Sequence, residues 1–305
     1  MKILVTGGAG FIGSHIATAY VAAGHDVVVV DDLSSGKRPQ VPEGARFHKL
    51  DVQSPEIRDL FLHERPDVLN HHAAQMDVRR SVADPGFDAR VNILGLVNLL
   101  EAARAAGTRR VLFASSGGAG YGEQDEFPAP ETHKLQPVSP YGVSKISSEL
   151  YLGCFRAMHG LEWAAMRYAN VYGPRQDPHG EAGVVAIFTQ KLLRGETATI
   201  NGDGRQTRDY VFVGDVVRAN LALLDHAYCG PMNFGTGIET DVRRLYELIA
   251  GACGVSTPAE HGPAKPGEQL RSVISPALAG RVLGWAPKTS LAEGIEETVR
   301  FFRSA

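Results

Sequence analysis

Two residues four apart, Tyr141 and Lys145 in SPYGVSK (139–145), carry the most direct chemical signal in the chain. On a helix, positions i and i+4 share a face. Ser139 and Pro140 make a helix start, a capping side chain followed by proline at the first helical position. A phenol with a pKa of about 10 is a poor base at neutral pH. A neighbouring ammonium favours the phenolate, so the pair reads as a general acid–base couple. The same spacing also occurs as a plain surface pair, and what precedes it in the chain decides between the two.

A glycine turn precedes it. Gly7, Gly10 and Gly13 in TGGAGFIGSHI form G-x-x-G-x-x-G between an apolar strand and a helix beginning near Phe11. Such glycines let the backbone approach a pyrophosphate, whose charge then lies at the helix N-terminus. Asp31 ends the second strand about 20 residues later, where a carboxylate accepts from the adenosine ribose and repels a 2′-phosphate. NAD is therefore expected over NADP, although Lys37 and Arg38 stand close by in sequence. The positive nicotinamide ring adds to the ammonium in favouring the Tyr141 phenolate. Asp51-Val52, at the end of the third strand, is placed either to meet the adenine edge or, for Asp51, to cap a helix.

The elements that must position these residues follow from periodicity. Strands are expected at 2–6, 26–31, 45–51, 67–72, 110–115 and 162–168, alternating with helical stretches such as 91–107. This alternation predicts an α/β fold, a doubly wound Rossmann-type parallel sheet. After Gly173 glycine, proline and charged turns become frequent, and two late helices are expected near 241–252 and 291–303. The division expected is a dinucleotide-binding domain at 1–172, completed by about 209–234, and a smaller C-terminal α/β substrate lobe at 173–305.

Composition narrows the function classes. A net charge of −3 gives no general attraction to nucleic acid or anionic membrane. No apolar run approaches the ~20 residues of a membrane span. Cys154, Cys229 and Cys253 are odd in number, widely spaced and form no C-x-x-C pair, against a disulfide framework and against a zinc site. The N-terminus opens directly on a strand and a glycine turn, so export is not expected; with the cysteine pattern, this leaves a cytoplasmic chain binding no metal as the expectation.

Taken together, TGGAGFIGSHI, VVVVDDLSSGK, HHAAQ, SSGGAGYG, SPYGVSK, RYANVYGPRQ and NGDGRQTRDYVFVGDVV resemble the extended short-chain dehydrogenase/reductases. Within them, the resemblance is to the UDP-galactose 4-epimerase-like enzymes of the NAD-dependent epimerase/dehydratase family. Such enzymes hold NAD tightly, oxidise the sugar C4 hydroxyl, let the 4-keto sugar turn over and return the hydride to its other face. The resemblance implies cofactor contacts from Gly7, Gly10, Phe11, Ile12, Gly13, Asp31, Asp32, Ser35, Gly36, Asp51, Val52, Ala73, Ala74, Gln75, Asn92 and Tyr168. It makes Tyr141 the base at the C4 oxygen and Lys145 its partner on the nicotinamide ribose. It places Asn170, Arg208, Lys265, Glu268, Arg271 and Ser272 on the UDP-sugar, with Arg208 clamping the diphosphate. The small Ser272 leaves room for an N-acetylated sugar. A homodimer through the helices starting near 91 and 139 is also implied.

The family's Ser/Thr hydroxyl, four residues before the tyrosine of its Tyr-Gly turn, falls here on Gly117. Ser116, one residue earlier, either takes the role or leaves Tyr141 to act without it. A 4,6-dehydratase needs an Asp-Glu pair just before that turn, where this chain has Gly117, Gly118 and Ala119. A UDP-glucuronate 4-epimerase stays open, because Arg79, Arg80 or Arg271 could meet a carboxylate. A non-catalytic NAD-sensing protein is the more remote alternative.

Overall fold

The computed structural model describes residues 1–178, 183–264 and 269–304. Its first strands form where apolar residues run without interruption. β1 (Lys2–Thr6) and β2 (Asp26–Asp31) carry ILV and VVVV segments with no exposed surface. Such runs suit strands covered on both faces. With β3 (Arg46–Lys49), β4 (Val68–His71), β5 (Arg110–Ser116), β6 (Glu162–Tyr168) and the strand Gly230–Phe234 they make a seven-stranded sheet. Its order is Gly230–Phe234, β6, β5, β4, β1, β2, β3. β1 runs parallel to β2 and to β4, with Ile3 opposite both Val27 and Val68. The strand order reverses direction around β1 and β4, the feature that places ligands at the strands' C-terminal ends in doubly wound folds.

The helices on this sheet are α1 (Phe11–Ala22), α2 (Glu56–Glu64), α3 (Val78–Ala83), α4 (Pro85–Ala89), α5 (Gly95–Ala106), α6 (Gly117–Tyr121) and α7 (Pro140–His159). Leu96, Leu99, Leu100 and Ala103 of α5 join Leu69, Val111 and Phe113 of the sheet and Leu152 and Phe155 of α7 in one core cluster. The helix expected at 91–107 is α5 preceded by a wider, π-type turn over Arg90–Leu94, and Gly107 ends it at φ +78°. Two later helices, Val242–Cys253 and Leu291–Ser304, lie within a residue of their expected bounds.

The chain forms two compact units. One comprises 1–120, 137–167 and 217–232, and the other 121–136, 168–216 and 233–305. The division drawn from sequence at 172/173 thus differs from the observed one. Residues 121–136 leave the first unit early, and the returning segment is 217–232 rather than 209–234. A turn-rich stretch between two helices contains no local signal of which core it will join. The second unit holds its short strands by pairing Thr240–Asp241 with Thr207–Arg208, and Thr207–Arg208 with Arg271–Ser272.

Among the described residues no helix is long and apolar enough to cross a membrane. No group of three His, Cys, Asp or Glu among them is arranged to hold a metal ion.

Candidate active site

The turn after β1 is shaped for a close approach of backbone to ligand. Gly7 adopts φ +69°, and a Cβ there would stand 2.5 Å from the Ala73 amide nitrogen. A Cβ on Gly13 would run into the Gly7 carbonyl, so the start of α1 sits directly on the turn. Gly10 caps α1 without a side-chain hydrogen bond, leaving first-turn N–H groups for an external acceptor. Phe11 and Ile12 open the helix, both half-buried.

Asp31 closes this turn from β2. Its carboxylate accepts from the Ala9 N–H at 3.0 Å and the Leu33 N–H at 2.8 Å. Burial pushes its pKa up against the pull of those donors. Two bonds leave about half of a carboxylate's lone-pair sites free. Asp32 is spent on Ser34, and Ser35 and Gly36 follow, with the Gly36 Cα facing Asp31 closely enough that a Cβ would collide. Arg38 lies over the Phe47 ring at 4.6 Å. Asp51 is exposed and accepts from the Gln53 N–H at 2.8 Å rather than capping α2, while Val52 is buried in the core.

Ala73, Ala74 and Gln75 leave β4 beside Gly7. Gln75 and Asn92 bond each other through main chain and side chain, at 2.9 Å each way. Asn92 sits in the wide helical turn, a geometry often found at functional sites. Both amides also donate to Asp88 of α4, at 3.1 and 3.0 Å. Sequence reading missed Asp88, because a single acid in a helix reads as a solvated one.

Ser139 caps α7 as its sequence predicts, accepting from the Gly142 N–H at 3.1 Å. Tyr141 and Lys145 share a face. Lys145 is buried, donates to the Ala114 carbonyl at 2.8 Å, and lies 5.6 Å from the Tyr141 ring centre. Burial brings Lys145 down to about 8, while Asp88 and Glu149 oppose the fall. Tyr141 is half-buried, and desolvation followed by the Asp88 charge pushes its phenol above the ordinary value. Within the protein alone, desolvation and Asp88 thus act against the phenolate. Burial, then Lys145, holds His72 at about 3, so it is neutral.

Ser116 ends β5, and its hydroxyl accepts from the Ala119 N–H at 3.3 Å, capping α6. Its neighbour Ser115 points elsewhere, donating to Glu149 at 2.6 Å. Glu149 in turn receives two bonds from Arg167, at 3.0 and 2.6 Å.

In the second unit, register puts Arg208 opposite Ser272 on one side and Thr240 on the other. Asn170 pairs with Tyr210, and Tyr168 is buried against Phe234 at 6.5 Å. Arg271 is held by Glu239 at 2.8 and 2.7 Å and stacks on Phe127 at 3.7 Å. Lys265 and Glu268 lie outside the described residues.

Residues 3–234 match the NAD dependent epimerase/dehydratase family. The chain belongs to that family. The UDP-glucose 4-epimerase of Mycolicibacterium smegmatis is 47% identical over 310 residues, 100% of this chain and 99% of the relative. Two solved structures match at 46% identity. The UDP-glucose 4-epimerase of Thermotoga maritima, solved with UDP-glucose, superposes with a TM-score of 0.98 over 100% of this chain and 99% of that one. The Thermus thermophilus enzyme, solved with NAD, does so at 0.95 over the whole of both chains.

Family membership brings NAD as cofactor, and the turn fits it: an uncapped helix start, a glycine cradle that a Cβ would fill, and a partly free carboxylate at the end of β2. The stretch before Tyr121–Gly122 is Gly117, Gly118 and Ala119 and holds no acid.

Proposed function

We propose that the protein interconverts the C4 epimers of a UDP-hexose, UDP-glucose and UDP-galactose, through a transient 4-keto sugar. The observation that carries the reading is likeness to UDP-glucose 4-epimerases across the whole chain, so that it includes both the Tyr141–Lys145 helix and the Arg208 strand. NAD, when bound, supplies the hydride acceptor and a positive ring that offsets the upward push on the Tyr141 phenol. Tyr141 takes the C4 hydroxyl proton as the sugar is oxidised and gives it back on reduction. Lys145, anchored on the Ala114 carbonyl, fixes a cation on the same helix face. Ser116 offers a hydroxyl whose oxygen already caps α6 and whose proton is free to be donated.

Arg208 suits a diphosphate, since its planar fork matches phosphate oxygens. Asn170, Ser272, Arg271, Lys265 and Glu268 complete the substrate set, and Tyr168 joins the cofactor contacts. Ser272 is small, which supports acceptance of the N-acetylated pair as well. UDP-glucuronate is the weaker reading: Arg271 is neutralised by Glu239, Arg79 pairs with Asp77 and Arg80 lies over Phe87. The first unit would then carry most of the NAD contacts and the acid–base chemistry, and the second most of the UDP-sugar contacts.

A cytoplasmic location is consistent with three free thiols. A homodimer is supported by exposed apolar residues on α7, Val143, Leu150, Tyr151 and Met158, and by Leu94 before α5. The deciding experiment is product analysis of the NAD-loaded protein with UDP-glucose, UDP-N-acetylglucosamine and UDP-glucuronate in parallel. Formation of UDP-galactose supports the proposal, and turnover of UDP-glucuronate alone would replace it with the second reading.

A further inference from the structure

Asp88 has no exposed surface, and no step of the proposed reaction uses it. Its Oδ1 accepts from Gln75 and Asn92, and its Oδ2 accepts from the Ser144 hydroxyl at 2.5 Å. The three donors come from the loop after β4, the wide turn before α5, and α7 between Tyr141 and Lys145. All three are neutral. No cation bonds Asp88 directly, and a neutral side chain could satisfy most of these donors without the cost of burying a charge. The charge itself therefore needs a purpose.

We propose that Asp88 is a positioning residue that ties α7 to the cofactor loop and places a fixed negative charge behind the Tyr141–Lys145 pair. The inference rests on the epimerase reading for its kinetics but not for its geometry. Glu149, one turn along α7, also supports the Lys145 ammonium, but it is held by Arg167 in a two-bond pair, and Asp88 is the acid that acts on Tyr141 as well as on Lys145. His71 and His72 are held neutral by burial and by Lys145 itself. The Ala114 carbonyl contributes only a dipole. Tyr141 and Lys145 both feel the Asp88 charge, which favours the protonated form of each. The ammonium is thus kept, and the phenol holds its proton until positive charge arrives with the cofactor.

Asp88→Asn separates the charge from the hydrogen bonds. The Asn Oδ1 can still accept from Gln75 and Asn92, and its Nδ2 can donate to the Ser144 hydroxyl, which accepts as well as donates. Ser144→Ala does the opposite, cutting the tie to α7 and keeping the charge. The test measures turnover of UDP-glucose against pH for NAD-loaded wild type, Asp88→Asn and Ser144→Ala. It also titrates the Tyr141 phenolate in each, as an absorbance difference against the same protein carrying Tyr141→Phe.

In Asp88→Asn both limbs of the pH profile and the phenolate titration should move to lower pH by roughly 1 unit. Ser144→Ala should lose rate several-fold with its profile unmoved. If Asp88→Asn does not fold, Asp88→Ser carries the same expectation. A neutral variant whose profile and phenolate titration overlay the wild type overturns the proposal, as does Ser144→Ala with an unchanged rate. If wild type turns over no UDP-hexose, the epimerase reading falls, while the phenolate titration still decides the role of Asp88.

Discussion

The two compact units hold their candidate functional residues by different means. In the first, Tyr141 and Lys145 ride on a twenty-residue helix, capped by Ser139 and packed through Leu152 and Phe155 into the main core. In the second, Arg208 lies on a two-residue strand. That strand is held by pairing to Ser272 and Thr240, and by Glu239, which takes bonds from both Thr207 and Arg271. Beside it, the buried Asp209 accepts from Thr236 and Gly237 and so ties another turn to the same place. A long packed element gives the positional precision that proton transfer needs. Short strands bridged by side chains are enough for binding a flexible anion. Changes in the first unit should therefore appear in kcat, and changes in the second in KM.

The strongest way to break this comparison is Tyr141→Phe. It should fold, retain NAD and lose about 10²-fold or more in kcat, as removal of a general base does. Near-normal turnover would deny the first unit its chemical role. Arg208→Ala should raise KM for UDP-sugars with kcat little changed, at a cost of about 1.5–3 kcal/mol for one charge-assisted contact. A fall in kcat at constant KM would erase the contrast between the units.

Ser116→Ala sharpens it further, because the hydroxyl has two candidate duties. Loss of the α6 cap alone should cost about 1 kcal/mol in thermal stability and leave kcat intact. A role at the C4 oxygen should lower kcat by about ten-fold, somewhat below the usual loss of a site donor. Measuring Tm and kcat on the same sample separates the two.

The smallest effect lies far from either set of residues. Glu64 is nearly buried, which by itself would raise its pKa, but hydrogen bonds from Arg46 and Lys2 outweigh burial and bring it to about 2. A carboxyl depressed in the folded state adds stability that is complete above its unfolded value of 4.5 and is lost as pH falls toward 2. Arg46 is nearly half exposed, so the pair is screened and is worth on the order of 1 kcal/mol. Glu64→Gln should therefore melt lower than wild type at pH 7, and the gap should close on acidification. A gap that widens toward pH 3 would contradict the assignment.

Much of the first unit was legible without coordinates. β1, β2 and β6 lie where continuous apolar runs put them, because a strand covered on both faces leaves no other solution. Ser139-Pro140 starts α7 because capping is satisfied within four residues. The Gly7–Gly13 turn and Asp31 were readable for the same reason: the backbone geometry they serve is local. Arg208 and Ser272 were legible only by resemblance, and Thr240 carried no signal in the sequence. Their register is a pairing between segments far apart in the chain, which no local pattern contains.

The sequence by itself determined the alternation of strands and helices, the glycine turn, the acid at the end of β2 and the shared face of Tyr141 and Lys145. Each of these depends on residues within a turn or two of one another. The tertiary structure alone decided the state of charge at that face. It brought Asp88 from α4 beneath α7, gave Glu149 to Arg167, and set Lys145 on the Ala114 carbonyl. Desolvation and Coulomb interaction depend on distances through space, so the protonation of Tyr141 and Lys145 became readable only once the chain had folded.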